Sequence, residues 1–381
     1  MAFPAEVAPA GVYVHVPFCA IRCSYCDFPT VAGQDARLPA YLDALVREIE
    51  SFQPEADGPV DTIYLGGGTP SRLTAAQVGR VLDAVRARFP VAPGAEVTLE
   101  GNPESLGEAG LAGFAEVGVT RFSVGVQSLD DGVLERVGRA HDAAQAEAAV
   151  ARASATGRQV NADLIAGLPG EDLSRWGETV ARVASWGTDH VSVYLLETDK
   201  DTPLGRAVRS GRTEVADDDG LADAYATTVR VLEDAGLAAY EISNFAREQR
   251  QSRHNLKYWT DAPYAAFGVG AHGYAAGRRR ANTRDLSLYL ATLTDGRDPV
   301  EWWEPFHAER RLGEALMLGL RLTCGVDLDA LGMRYGLDPR RLYGEAWERA
   351  QEAGLVLFEG ARVRLTPEGR LRSNELFVAF V

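Results

Sequence analysis

Six apolar runs, at 12–16, 62–65, 97–100, 121–126, 159–165 and 190–195, each have the length and alternation of a strand, and amphipathic stretches separate them. The intervening segments at 38–52, 75–89, 104–117, 130–137 with 143–156, and 173–185 read as helices. Repeated strand–helix alternation commits a chain to a parallel sheet with right-handed crossovers. Six units with no clear seventh and eighth predict an α/β partial barrel of (β/α)6 type. In barrels of this kind the chemistry gathers beyond the carboxyl ends of the strands. Those ends are therefore the places to read.

The first strand runs directly into Cys19, Cys23 and Cys26. Three thiols in one short loop leave a four-iron cubane one ligand short, so one iron is open to a small molecule. Zinc is the competing occupant, and it would draw a fourth ligand from His15 or the distant Cys324. At the next strand ends come Gly66-Gly-Gly-Thr-Pro70, Glu100-Gly-Asn-Pro103, Gln127-Ser128, and Asp163 ahead of Gly167-Leu-Pro-Gly170. Each has a plain reading as a turn or helix start. Their shared position at successive strand ends argues for one site, in which glycines admit a ligand close to the backbone and Glu100, Gln127 and Asp163 meet amine and hydroxyl groups.

Four cysteines in 381 residues, three of them clustered, fit metal ligation in a reducing compartment rather than a disulfide framework. The first ten residues lack a basic n-region and no apolar run reaches the roughly 18 residues of a membrane span, so a cytoplasmic location is expected. A net charge of -15 disfavours nucleic acid as the principal ligand. Arg278-Arg-Arg280 is a local basic patch that could meet a carboxylate.

These motifs resemble the radical S-adenosylmethionine (SAM) superfamily, and within it the branch of oxygen-independent coproporphyrinogen III oxidases and HemW haem chaperones. The likeness rests on Tyr13-Val-His-Val-Pro-Phe-Cys19, the C-x3-C-x2-C spacing, Gly66-Gly-Gly-Thr-Pro70, Ser123-Val-Gly-Val-Gln127 and Asn161-Ala-Asp-Leu-Ile-Ala-Gly-Leu-Pro-Gly170. It implies a [4Fe-4S] cluster on Cys19, Cys23 and Cys26. It further implies a SAM site drawing on Tyr13, Tyr25, Gly68, Thr69, Glu100, Gln127, Arg139 and Asp163, and cleavage of SAM to a 5′-deoxyadenosyl radical by an electron from the cluster. No side chain reads as catalytic beyond these. At Gly68 a side chain is expected to intrude on the ligand.

Two departures separate the oxidase from the chaperone. The oxidase resembles this chain but has a fourth Cys where Phe28 stands, and a longer segment before its cluster loop than the eighteen residues preceding Cys19. The run His254-Asn-Leu-Lys-Tyr-Trp259 is similar to the H-N-x-x-Y-W motif associated with haem binding in HemW. The resemblance therefore implies a haem chaperone, with haem, apo-haemoproteins such as respiratory ones, and an electron donor as partners. Peripheral membrane contact and a homodimer are compatible with it. His254 is the expected axial ligand, flanked by Tyr258 and Trp259; His272, among glycines, and Cys324 are the alternatives. The competing functions are a coproporphyrinogen dehydrogenase and another radical SAM enzyme acting on a tetrapyrrole.

Three parts are expected along the chain. Residues 1–245 form the barrel with the cluster and SAM site, 246–303 a barrel extension and linker carrying the His254 motif, and 304–381 a small, mainly helical domain. The last contains helices at 307–320 and 339–353 and a hairpin at 356–365, a winged-helix-like pattern without the basic charge of a DNA binder, read as a cap over the barrel mouth.

Overall fold

The computed structural model describes residues 11–54, 58–275 and 277–381. The amino-terminal ten residues, whose composition argued against a leader, lie outside them. Twelve strands form one sheet: β1 Gly11–Val16, β2 Val60–Gly67, β3 Val91–Gly101, β4 Arg121–Gln127, β5 Gln159–Ala166, β6 His190–Leu195, β7 Ala238–Ala239, β8 Asn244–Ala246, β9 Tyr264–Phe267, β10 His272–Ala275, β11 Arg278–Asn282 and β12 Val300–Trp303. Their order is β12-β11-β10-β9-β1-β2-β3-β4-β5-β6-β8-β7. The six expected strands are present, and β1 through β6 run parallel in sequence order.

The segment 246–303, expected to be a barrel extension and linker, adds strands to the sheet. β9 pairs in parallel with β1 on its free side, Val12 opposite Ala265, and makes a seventh parallel strand. The next three strands extend the sheet antiparallel from there. These strands are four or five residues long, and β11 opens with three arginines, so they lack the apolar alternation that marks a strand in sequence.

Helices α1 Leu38–Ser51, α2 Ala75–Arg88, α3 Glu108–Glu116, α4 Asp131–Arg136, α5 Ala143–Ala155 and α6 Trp176–Ser185 follow the parallel strands, and α7 Pro203–Arg209 and α8 Asp218–Asp234 come after β6. α2 and α5 begin in capping boxes, Thr74 with Gln77 and Asp142 with Gln145, which satisfy otherwise orphaned amides at each helix start. One face of every parallel strand packs under the helices: Val12, Val14 and Val16, Ile63 and Leu65, Val97 and Leu99, Phe122, Val124 and Val126 all belong to a single core. The opposite, concave face is polar. Strand register puts Tyr13 and His15, Thr62 and Tyr64, Glu96 and Glu100, Arg121 and Ser123, Asn161 and Asp163, and His190 and Ser192 on it.

α9 Arg253–Trp259 carries the His254 motif and α10 Leu286–Thr294 follows β11. α11 Ala308–Gly319 opens the carboxy-terminal module, whose own core holds Leu312, Leu316, Leu328, Trp347, Val363 and Phe380 beneath a three-stranded antiparallel sheet. This module contacts the sheet near both of its ends. Toward β8, Arg321 bonds Glu241 at 3.2 Å and a bridge joins Glu241 to Leu322; toward β11, Glu314 pairs with Arg279 at 3.1 Å.

Candidate SAM and iron–sulfur site

The loop after β1 is held from both sides. His15 Nε2 lies 2.9 Å from the Pro29 carbonyl, and Ser24 N–H donates to Val137 O at 3.1 Å. Tyr25 packs with Val133, Val137 and Leu168. Cys19, Cys23 and Cys26 are all free and partly exposed on this loop. Burial raises the Cys19 thiol and pushes Cys26 up to about 11, so cluster assembly must displace protons from them.

Two of the thiols are joined through a chain of side chains, Thr69 and Asn102 from two strand ends and Arg139 from the turn after α4. Thr69 Oγ1 donates to Cys19 Sγ at 3.6 Å and receives Asn102 Nδ2 at 3.3 Å; Asn102 Oδ1 accepts Arg139 Nη2 at 2.8 Å; Arg139 Nη1 lies 3.6 Å from Cys23 Sγ. Arg139 also donates to Gly125 O at 2.7 Å, while its Nε is buried without a partner. A Cβ on Gly125 would meet Gln127, Asn102 and Arg139, so these three converge above β4. Gln127 takes a positive φ of 69° at a register shift, a backbone turn that directs the strand end. Asn102 was not singled out from sequence as a ligand-site residue. Its position in the Glu100-Gly-Asn-Pro103 strand end was the available signal.

Deeper on the concave face, Glu100 accepts Tyr64 O–H at 2.7 Å and Gly67 N–H at 3.0 Å, and Asp163 accepts Ser123 and Asn161. Burial, reinforced by Asp163, pushes Glu100 up to about 7; burial also raises Asp163. Tyr13 stacks on Tyr64, and its hydroxyl lies 3.0 Å from His15 Nδ1. Tyr13, Glu100 and Asp163 thus share one polar face, with Thr69, Gln127 and Arg139 at its rim.

The glycine triplet works differently from the expectation. Cβ atoms at Gly66, Gly67 and Gly68 would strike Tyr64 and Glu100, the His15 ring, and the Val16–Pro17 backbone respectively. The amides of Gly67, Gly68 and Thr69 are already bonded to Glu100, Val16 and Phe18. The triplet therefore closes protein on protein, and a side chain at Gly68 would break this turn whether or not a ligand is present.

His254 lies at the opposite, amino-terminal end of the barrel. Its Nδ1 is 2.9 Å from Thr62 Oγ1 and its Nε2 is 3.0 Å from Tyr258 O–H, in a fully buried setting among Tyr13, Tyr64 and Tyr264. The backbone amides of Arg253 and His254 donate to Glu96. Trp259 lies beneath the Arg321 guanidinium, 4.6 Å from the ring centroid. α9 is a plug in the barrel floor. Both imidazole nitrogens have hydrogen-bond partners in this arrangement. His272 is exposed near the rim, and Cys324 is exposed in the carboxy-terminal module.

The sequence matches the Radical SAM superfamily family model over residues 13–183 and the HemN C-terminal domain over 306–372. It is 33% identical to "Heme chaperone HemW" of Bacillus subtilis, over 97% of this chain and 99% of that one. This chain belongs to the HemW family of radical SAM proteins. The Mycobacterium tuberculosis "Heme chaperone HemW" is 39% identical over 97% of this chain and 94% of its own. Escherichia coli coproporphyrinogen III oxidase (HemN), described as a radical SAM enzyme, shares the fold with a TM-score of 0.85 at 23% identity, covering 98% of this chain and 90% of that one.

For a HemW-family chain, membership of the superfamily implies SAM and a [4Fe-4S] cluster. The donor set fits: three thiols on one tethered loop, a buried unpartnered Arg139 Nε, and two buried carboxylates facing the same concavity. Among the described residues no helix is long and apolar enough to cross a membrane.

Proposed function

We propose that this chain binds haem and delivers it to haemoproteins, as the HemW name states for its relatives, and that it does so in the cytoplasm while carrying SAM and a [4Fe-4S] cluster at the barrel rim. The observation that carries this is near-full-length identity of 33% and 39% with two chains named haem chaperone. Cys19, Cys23 and Cys26 would hold the cluster. Glu100 and Asp163 would receive the amine and ribose hydroxyls of SAM, and Thr69, Gln127 and Arg139 would orient the ligand against the loop. When bound, this pair supplies one-electron chemistry; the protein residues position it and exclude water from the polar concavity. Phe28, 58% exposed at the position of the oxidase's fourth Cys, supports handling of haem over propionate decarboxylation.

The test is anaerobically reconstituted protein, mixed separately with haem and with coproporphyrinogen III. Stoichiometric haem binding followed by recovery of activity in an apo-haemoprotein is expected. Conversion of coproporphyrinogen to protoporphyrinogen, without haem transfer, would replace the chaperone with the oxidase.

A further inference from the structure

The chain has six histidines. His15, His141, His190 and His254 are buried with ring nitrogens held by protein partners. His272 is exposed and, among the described residues, has no hydrogen-bond partner. Its surroundings distinguish it from His307, the other exposed histidine, which caps the start of α11.

Cross-strand pairing places His272 of β10 beside Ala281 of β11, and Ala281 beside Trp302 of β12. Directly paired residues share a sheet face. The row therefore presents an imidazole, a methyl group and a 44% exposed indole side by side. The face is the concave one, because Tyr274, two residues after His272, pairs with Tyr264, and Tyr264 lies in register with Gly11, two residues before Tyr13. At its inner end the face is walled by α11, where Arg311 lies over Tyr274 and Glu314 pairs with Arg279. Its outer end is open. Arg284 stands at that end, donating to Asp27 O at 3.1 Å, one residue beyond Cys26.

We propose that the concave face of β10–β12 is a haem-docking shelf, with His272 as the iron ligand, Trp302 against the macrocycle, and Arg284 at the propionate edge. This inference rests on the haem-handling function proposed above and assigns its binding site. The chemistry is complementary in three respects. A free imidazole ligates iron, an indole covers a flat apolar ring, and guanidinium groups pair with carboxylates. Ala281 between the two larger side chains leaves room for the ring to approach the sheet. Burial, then Arg284 and Arg279, hold the His272 imidazole below its ordinary pKa, which keeps it neutral and able to bind metal at pH 7. Ligation from one side by a surface residue also suits a carrier that must release its cargo.

The glycines before His272 serve this arrangement by bringing the shelf onto the cluster loop. Cβ atoms at Gly268 and Gly270 would strike Tyr41 with the His15 carbonyl, and Pro29, respectively. The turn leading into β10 thus packs directly on Pro29 of the cluster loop. Haem seated there would lie beside the cluster site, not at the far end of the barrel.

The test is titration of haem into full-length, cluster-reconstituted protein, read by the Soret band. His272→Ala should shift the band and weaken affinity at least about tenfold, and imidazole added to His272→Gly should restore the wild-type band. Arg284→Glu should weaken affinity without moving the band. Iron-free protoporphyrin should bind wild type and His272→Ala alike. A wild-type band and affinity in His272→Ala, or their loss in His307→Ala alone, would overturn the shelf while leaving the haem-carrier function standing. Absence of haem binding by wild type would overturn that function itself.

Discussion

Asn102 is bonded to both arms of the bridge between Cys19 and Cys23, accepting from Arg139 and donating to Thr69. Losing a partner from a buried charged group costs about 1–3 kcal/mol, so Asn102→Ala should release Arg139 and weaken SAM binding on the order of tenfold or more. Equilibrium dialysis of SAM against cluster-loaded protein checks this; unchanged affinity would show that Arg139 is placed by Gly125 alone. The thiols are the sharper case. Ser at Cys19, Cys23 or Cys26 should remove the broad visible absorption of an iron–sulfur centre, and zinc without acid-labile sulfide in anaerobically prepared wild type would contradict the cluster assignment.

Glu100 supplies a pH dependence at the same scale. Its carboxyl is raised from 4.5 to about 7 in the folded chain, so between those values the folded state binds the proton that the unfolded state has lost. Its stabilising contribution is complete below the unfolded value and is lost as pH rises through about 7, a swing on the order of 3 kcal/mol. Buried His15, His190 and His254, whose pKa values are lowered, give a slope of the opposite sign, so the Glu100 contribution is read as the denaturant-midpoint difference between cluster-free wild type and Glu100→Gln, which should fall from about pH 5 toward pH 8. Glu171, also pushed up by burial to about 7, will retain a residual slope in that variant.

At the scale of elements, α9 converts a sequence motif into a floor for the barrel. His254 joins Thr62 of β2 to Tyr258 of its own helix, and Ser252 caps that helix through Asn255 N–H at 3.3 Å. His254→Ala opens a cavity and leaves two buried hydroxyls unpaired, at an expected cost of about 2–4 kcal/mol; Ser252→Ala should cost about 1 kcal/mol. Urea denaturation checks both. A fully stable His254→Ala would refute the plug. Loss of haem binding by that variant is informative only when its folded fraction is matched to wild type.

Across the whole molecule, the carboxy-terminal module is keyed to the plug and to the sheet near both of its ends. Arg321 lies over Trp259 and bonds Glu241, and Arg334 pairs with Asp261 at 3.0 Å. Arg321→Ala removes a cation–π contact of about 0.5–2 kcal/mol together with an ion pair to a fully buried carboxylate. Hydrogen exchange should accelerate in α9 and in the 306–372 segment while the cluster absorption is unchanged. Uniform protection in the variant would mean that the module is held by Arg279 and Glu314 instead.

The parallel strands and their helices were legible in the chain because each is long enough to carry its own hydrophobic period, and the rim was legible because function in such a sheet collects at strand ends. The spacing of Cys19, Cys23 and Cys26 needed no tertiary information: three thiols within one short loop are neighbours in any fold. Other roles depend on contacts between residues far apart in sequence. His254 meets Thr62 across 192 positions and Arg139 meets Cys23 across 116, and no local pattern encodes either distance. The same holds for Gly68, whose need for a bare Cα comes from the Pro17 backbone, and for β9 to β12, whose strands exist because β1 had a free edge to pair. The sequence by itself determined which chemistry the chain carries. Tertiary structure decided that His254 is buried between Thr62 and Tyr258 while His272 is exposed, because burial and hydrogen-bond satisfaction are properties of the packed molecule and not of a motif.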